Sequence, residues 1–259
     1  MFGFCNLSIV PCRAEASDKS EIVTQLLFGE CFTILEQEKN WTKIRVEFDA
    51  YECWIASKQY QIISESTFNK ITTENKFLSH DLISVVTNKS SNVVFPILLG
   101  SCLSSENNHE FNIDHVAFSF EGNAKASYDE DVRKGIIDAA FMYLNAPYLW
   151  GGRGPFGIDC SGFTQMVYKL NGHRLLRDAS QQATQGFVLN FVEEALPGDL
   201  AFFDNEEGNI IHVGIVLPNN KIIHASGSVR IDEFDHQGIF NADKRSYTHN
   251  LRLLKSILA

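Results

Sequence analysis

Three side chains in the sequence could together cut an acyl bond: Cys160, His212 and His224. A thiol attacks carbonyl carbon well once a base takes its proton, and an imidazole can take that proton and return it to a leaving amine. A second imidazole can hold the first in its working tautomer, which repeats the nucleophile, base and orienter logic of the Ser-His-Asp triad with a neutral third member. In this scheme Cys160 is the nucleophile, His212 the base and His224 the orienter. Taken singly, each carries little weight. Free cysteine is among the most buried residue types, and a lone histidine such as His109, His115, His173 or His236 is more often a satisfied core or surface residue than a catalyst.

The elements around the three residues give them common purpose. Four glycines and one proline fall within Gly151–Gly157 and cannot sustain a regular element. Beyond them Phe163, Met166, Val167 and Leu170 recur at i, i+3, i+4 and i+7, the stripe of a half-buried helix. Cys160 therefore opens a helix, with Asp159 as its cap, where unpaired N–H groups and the macrodipole favour a thiolate. The runs Ile210–Leu217 and Lys221–Ser226 read as two strands joined by Pro218-Asn219-Asn220. With a three-residue loop Leu217 faces Lys221 and Gly214 faces His224, so both histidines emerge on one face as diagonal neighbours. A two-residue loop would put them on opposite faces. Asn220 suits the left-handed position that the longer loop wants. Gly214 on the same face would let another element approach, and the Cys160 helix is expected to pack there.

The chain has 259 residues and 44% hydrophobic composition, which allows two or three domains with sizeable cores. Its net charge of −10 disfavours nucleic acid and anionic membranes as partners. The six cysteines contain no C-x-x-C pair, so neither a disulfide framework nor a zinc cluster is expected. The N-terminus lacks a basic n-region and no run approaches a membrane span, from which a cytoplasmic location is expected. The first third reads as all-β. Within Trp41–Phe48, Ile44, Val46 and Phe48 alternate with charged residues, and further strands are expected at Leu82–Val86, Val93–Leu99 and Val116–Phe120. Two small barrels over 1–60 and 61–122 account for this spacing, and one larger sandwich is the alternative. A domain of helices and strands follows over 123–259. Its first helix is expected to open at a capping box, Ser127-Tyr128-Asp129-Glu130, with Val132, Ile136, Ala140 and Tyr143 as its stripe. Asp178 or Ser180 is expected to cap a later short helix.

The series Tyr148-Leu149-Trp150-Gly151-Gly152, Asp159-Cys160-Ser161-Gly162-Phe163, Pro197-Gly198-Asp199-Leu200, His212-Val213-Gly214-Ile215 and His224-Ala225-Ser226 resembles the NlpC-type cell-wall cysteine peptidases, a papain-like superfamily. Residues 1–120 resemble the paired bacterial SH3-like domains of one branch, the γ-D-glutamyl-L-diamino acid peptidases. The resemblance implies an α+β, papain-like catalytic domain, a helix-borne cysteine on an antiparallel sheet, preceded by two SH3-like barrels. It implies hydrolysis of the γ-D-glutamyl bond to meso-diaminopimelate or lysine in murein peptides, with release of L-Ala-γ-D-Glu and no cofactor or metal. It places Tyr148 beside the oxyanion site and Asp159, Ser161 and Ser180 along the substrate cleft. An acidic residue and a tyrosine from the first SH3-like domain would hold the free amine of L-alanine, and Glu15 and Tyr51 are assigned to them. Such a wall would favour short peptides with a free amine, fitting cell-wall peptide recycling. The rival readings are an acyltransferase or transpeptidase using the same thioester, a non-catalytic wall-binding protein, and a Cys160-His212-His224 metal site.

Overall fold

The computed structural model describes residues 1–73, 77–104, 109–126 and 131–258. The chain forms two compact units: Met1–Tyr128 with Gly151–Pro155, and Asp129–Trp150 with Phe156–Ala259.

The first unit begins with a seven-stranded antiparallel sheet in the order Ile22–Leu27, Ile9–Arg13, Glu52–Ala56, Trp41–Val46, Cys31–Gln37, Phe2–Phe4, Gln61–Ile63. The last strand pairs with Phe2–Phe4, so this sheet continues past the expected boundary after Tyr60. The Trp41–Val46 strand ends two residues before Phe48, and its buried positions are Thr42, Ile44 and Val46. Two smaller sheets follow: Val93–Leu98, Ile83–Asn88, Val116–Glu121 and Glu110–Ile113 in one, and Cys102–Leu103, Phe77–Ser79 and Ala124–Ala126 in the other. Ala124–Ala126 pairs with Phe77–Ser79, so the expected start of the last domain at 123 falls inside the first unit. The first third is also not purely strand. A helix spans Glu65–Thr73, where the Thr67 N–H donates to Ser64 Oγ at 3.2 Å and Phe68 and Ile71 reach the core. A cap hydroxyl plus two apolar residues three apart is a short signal, easily hidden among polar residues.

The β-regions share apolar contacts. The Phe28 ring lies against Phe4, Phe95, Phe111 and Phe118, which joins the early strands to the later ones through one cluster. A second core, around Cys12, Leu26, Phe32 and Ile44, belongs to the seven-stranded sheet alone.

The second unit is built on another seven-stranded antiparallel sheet, ordered Phe187–Leu189, Ser246–Ser256, Leu200–Asp204, Ile210–Leu217, Lys221–Ser226, Ser228–Asp235, Gly238–Asn241. Gly238–Asn241 also pairs with Ser246–Ser256, which closes the last six strands into a ring. The first helix is Val132–Met142, capped by Asp131, whose Oδ1 accepts from the Lys134 N–H at 3.1 Å. The capping box expected at Ser127–Glu130 lies outside the described residues. The Cys160–Leu170 helix is buried at all eleven positions, more than the half-buried stripe implies. Its polar side chains find partners inside: Gln165 Nε2 donates to the Leu175 carbonyl at 3.1 Å and the Tyr168 hydroxyl to the Gly198 carbonyl at 2.5 Å. Burial there is tolerable because those groups are bonded.

Candidate active site

The hairpin that carries the histidines has the expected register. Leu217 pairs with Lys221 and Gly214 with His224, leaving a three-residue loop in which Asn219 and Asn220 both have φ near +60°, at 62° and 55°. Both imidazoles therefore stand on one face, and His212 Nε2 lies 2.8 Å from His224 Nδ1. The Cys160 helix packs against both strands. A Cβ on Gly214 would fall 2.7 Å from Ile222 Cδ1 and 3.0 Å from His224 Cβ, so the neighbours it makes room for are these two residues.

Cys160 is the first residue of its helix, and Asp159 caps it by accepting from the Gly162 N–H at 2.6 Å. The backbone N–H groups of Val213 and Ser161 favour the thiolate of Cys160, and Val213 directly follows His212. The thiol is nevertheless pushed up to about 12, first by burial and then by the Asp159 carboxylate, with Val213, Arg177 and Ser161 acting the other way. The standing thiolate expected from the helix terminus is thus outweighed in this closed pocket by the loss of water. His212 is held well below its ordinary value by burial and by His224 and His249, so it is a neutral base ready to accept.

Two features were not legible from the motif. His224 Nε2 lies 3.0 Å from Asp232 Oδ2, and Arg230 braces that carboxylate with Nε 2.7 Å from Oδ2 and Nη2 2.8 Å from Oδ1. The polar chain thus runs His212, His224, Asp232, Arg230, with His249 stacked on His212 at 4.2 Å, and the Cys160 helix packs against the strands that carry both imidazoles. The Ser226↔Ser228 pairing about Gly227 puts Arg230 opposite His224 and Asp232 two residues farther on, so counting one more hairpin by parity finds them. The second feature is Arg177, whose side chain is 1% exposed. It donates to both oxygens of Asp159, at 3.1 and 2.7 Å, and to Ser161 Oγ at 2.9 Å. It lies beside Asp178 and Ser180, a stretch whose sequence speaks only of helix capping. Asp178 is the cap, and its N–H donates to Gln181 Oε1.

Among the other expected site residues, Asp159 and Ser161 are buried beside Cys160, whereas Ser180 is exposed on Ala179–Gln182, a short helix packed against the His212 strand. Buried Gln182 from that helix donates to the Ser161 carbonyl at 3.0 Å and so ties it to the Cys160 turn. Tyr148 is exposed at 36%, yet its phenol is pushed up to about 12 by loss of water around it and by the nearby Cys160 and Asp159, so its hydroxyl stays a donor at neutral pH. Glu15 and Tyr51 belong to the first unit. Glu15 is exposed, with its N–H on Ser20 Oγ, and Tyr51 is half-buried against the core of the seven-stranded sheet. Among the described residues no three His, Cys, Asp or Glu side chains converge as a metal donor set. No helix among them is long and apolar enough to cross a membrane.

Residues 145–246 match the NlpC/P60 family, and residues 12–59 match the bacterial dipeptidyl-peptidase SH3 domain. The chain is 30% identical over 218 residues to the gamma-D-glutamyl-L-lysine dipeptidyl-peptidase of Bacillus subtilis, covering 79% of this chain and 72% of that one. It is 27% identical to dipeptidyl-peptidase 6 of Lysinibacillus sphaericus, over 86% of this chain and 88% of that one. A crystal structure of an NlpC/P60 family protein from Bacillus cereus shares the fold across the full length of both chains, with a TM-score of 0.82 at 20% identity. A helix-borne thiol beside two bonded imidazoles thus sits within a sequence match that extends over both units, and the chain belongs to the NlpC/P60 family of cysteine peptidases.

Proposed function

We propose that this peptidase hydrolyses the γ-D-glutamyl bond to meso-diaminopimelate or L-lysine in murein peptides bearing a free N-terminal L-alanine, releasing L-Ala-γ-D-Glu. The observation that carries the chemistry is a buried cysteine at a helix start, on a helix packed against the two strands whose imidazoles, His212 and His224, are bonded to each other at 2.8 Å. The relatives' names, which specify γ-D-glutamyl-L-lysine, support the bond. The helix-borne cysteine on an antiparallel sheet fits the papain-like arrangement, and we read the strands after residue 76 as the second SH3-like barrel.

In the first step the Cys160 proton passes to His212 as the sulfur bonds to the γ-carbonyl carbon. The Cys160 N–H, among the helix-terminal donors without an intrahelical partner, and the Tyr148 hydroxyl are suited to the oxyanion that forms. Collapse breaks the C–N bond, and the leaving amine takes the proton from His212. Water, deprotonated by the same imidazole, then opens the thioester to give the γ-carboxylate and the free thiol. Glu15 and Tyr51 are our candidates for recognising the alanine amine, and Asp159, Ser161 and Ser180 for lining the substrate. A requirement for free-amine fragments suits cytoplasmic recycling of cell-wall peptides.

The test is mass spectrometry of products from L-Ala-γ-D-Glu-meso-diaminopimelate, its lysine analogue and their N-acetylated forms, with wild type and Cys160→Ala. Cleavage of only the free-amine peptides, lost in the variant, is expected. Equal cleavage of the acetylated forms would remove the amine requirement. Transfer of the dipeptide to an added amine in place of water would establish an acyltransferase instead.

A further inference from the structure

The two imidazoles leave open which nitrogens carry protons, and only one pattern permits His212 to act as a base. A carboxylate can only accept. Asp232 is buried yet held below its ordinary value: burial would raise it, but the hydrogen bonds from His224 and Arg230 prevail. Asp232 Oδ2 at 3.0 Å from His224 Nε2 therefore requires the proton on that nitrogen. In neutral His224, Nδ1 is then an acceptor, and the 2.8 Å contact is filled by a donor, His212 Nε2–H. That leaves His212 Nδ1 unprotonated and able to receive the thiol proton. Arg230 fixes the carboxylate through both of its oxygens and is itself paired with Asp243 at 3.1 Å.

We propose that Asp232 is a positioning residue that dictates the tautomers of both histidines through its hydrogen bond to His224 Nε2, so that His212 presents a free Nδ1. Asp232 does not touch substrate. It acts at a distance of two rings, and it makes the catalytic set a relay of four side chains in place of the three visible in the motif. An amide at this position can donate where the carboxylate accepts. His224 would then carry its proton on Nδ1 and donate to His212 Nε2, and the His212 proton would move to Nδ1, where it blocks the base. The other ionisable groups around the pair are Cys160 on its helix, His249 on the Ser246–Ser256 strand, and Arg230, Asp243 and Lys244 beyond them. Asp232→Asn leaves these side chains in place and removes a charge that raises Arg230 and His249.

This inference rests on the peptidase reading for its kinetic arm alone. With histidine-selective 15N labelling, ring-nitrogen NMR of the wild type is expected to show His224 protonated on Nε2 and not on Nδ1, and His212 protonated on Nε2. In Asp232→Asn the pattern inverts. Turnover of the peptide is expected to fall on the order of 10- to 100-fold, the range seen when a group supporting a ligand or base is removed, with KM nearly unchanged. The plateau rate falls whatever shift the lost charge causes in the pH profile, because a tautomer ratio does not titrate. The rate of Cys160 alkylation by iodoacetamide falls in parallel, which tests the relay even if the peptide is not the substrate. A wild-type His224 protonated on Nδ1 overturns the proposal, as does an Asn variant with unchanged alkylation, or one whose pH profile shifts while its plateau stays. Failure of wild type to cleave the peptide, with the alkylation loss intact, would overturn the substrate assignment and leave the relay standing.

Discussion

Buried thiols occur in both units, and burial alone does not tell them apart. In the first unit Cys5, Cys12 and Cys31 donate to carbonyl oxygens, of Leu7 and Leu26, of Val10 and of Gly29. In the second unit the N–H groups of Val213 and Ser161 both act to lower Cys160, as Leu7 alone does for Cys5. Burial raises Cys5, Cys12 and Cys160 alike. What differs is the polarity of the surroundings. A carbonyl oxygen that takes the S–H stabilises the thiol form, as for Cys12 and Cys31, whereas Val213, Ser161 and Arg177 together oppose burial at Cys160 and favour the anion that forms when the proton leaves. Ion pairs divide in the same way. Arg153 and Glu30 close on each other at 2.8 and 2.9 Å, with the Gln25 carbonyl and the Leu27 N–H also bonded to the pair. The Arg230–Asp232 pair opens instead onto His224 and ends at a base.

The largest expected contrast is chemical. Iodoacetamide applied to the folded protein at neutral pH should place its label on Cys160, with Cys5, Cys12 and Cys31 reacting only after denaturation, as peptide mapping would show. Labelling of the first-unit thiols at a similar rate would break the comparison. Next comes the closed pair. Glu30→Ala leaves the Arg153 guanidinium buried without its carboxylate, and denaturant unfolding should show a loss of about 3–5 kcal/mol in the first unit.

A smaller effect separates the units by pH. Three histidines of the second unit have folded values below the ordinary 6.5, His212 far below it, His249 at about 4 and His173 also lowered by burial. The unfolded chain therefore binds protons first as pH falls, so their contribution is complete above 6.5 and declines below it. In the first unit, Asp81 and Asp114 are depressed below the ordinary 3.8, and their contribution is lost only near and below that value. Amide hydrogen exchange followed from pH 7 to 5 should therefore show the second unit losing protection first. At alkaline pH the order should vanish, because raised thiols occur in both units and each loses stability as pH climbs past 9.0.

The sequence reading reached the site where local periodicity and loop length suffice. Three residues between Leu217 and Lys221 set the faces of both histidines, and glycines followed by an apolar stripe placed Cys160 at a helix start. It stopped where partners come from the far side of another turn. Asp232 lies in a run, Ser228–Asp235, that looks like a solvated strand, and nothing in its own neighbourhood marks a buried carboxylate. Arg177 is similar, a buried charge whose partners at 159 and 161 are set by tertiary packing. The net state of the Cys160 thiol was hidden for a different reason. A helix terminus is visible in sequence, but the depth of burial that outweighs it is not. In the first unit, alternation found strands at Ile83–Asn88, Val93–Leu98 and Val116–Glu121, while the Phe28 cluster that links their core to the earlier strands has no local signature.

Surface turns are ordinarily where a lineage can gain or drop a residue at little cost. The Pro218-Asn219-Asn220 turn is an exception, because its length sets the phase of the strand that follows it. One codon added or removed there would turn His224, with every other side chain of its strand, to the opposite face. Among descendants of this gene, the letters of that turn are therefore free to drift so long as left-handed positions are kept, but their number is not.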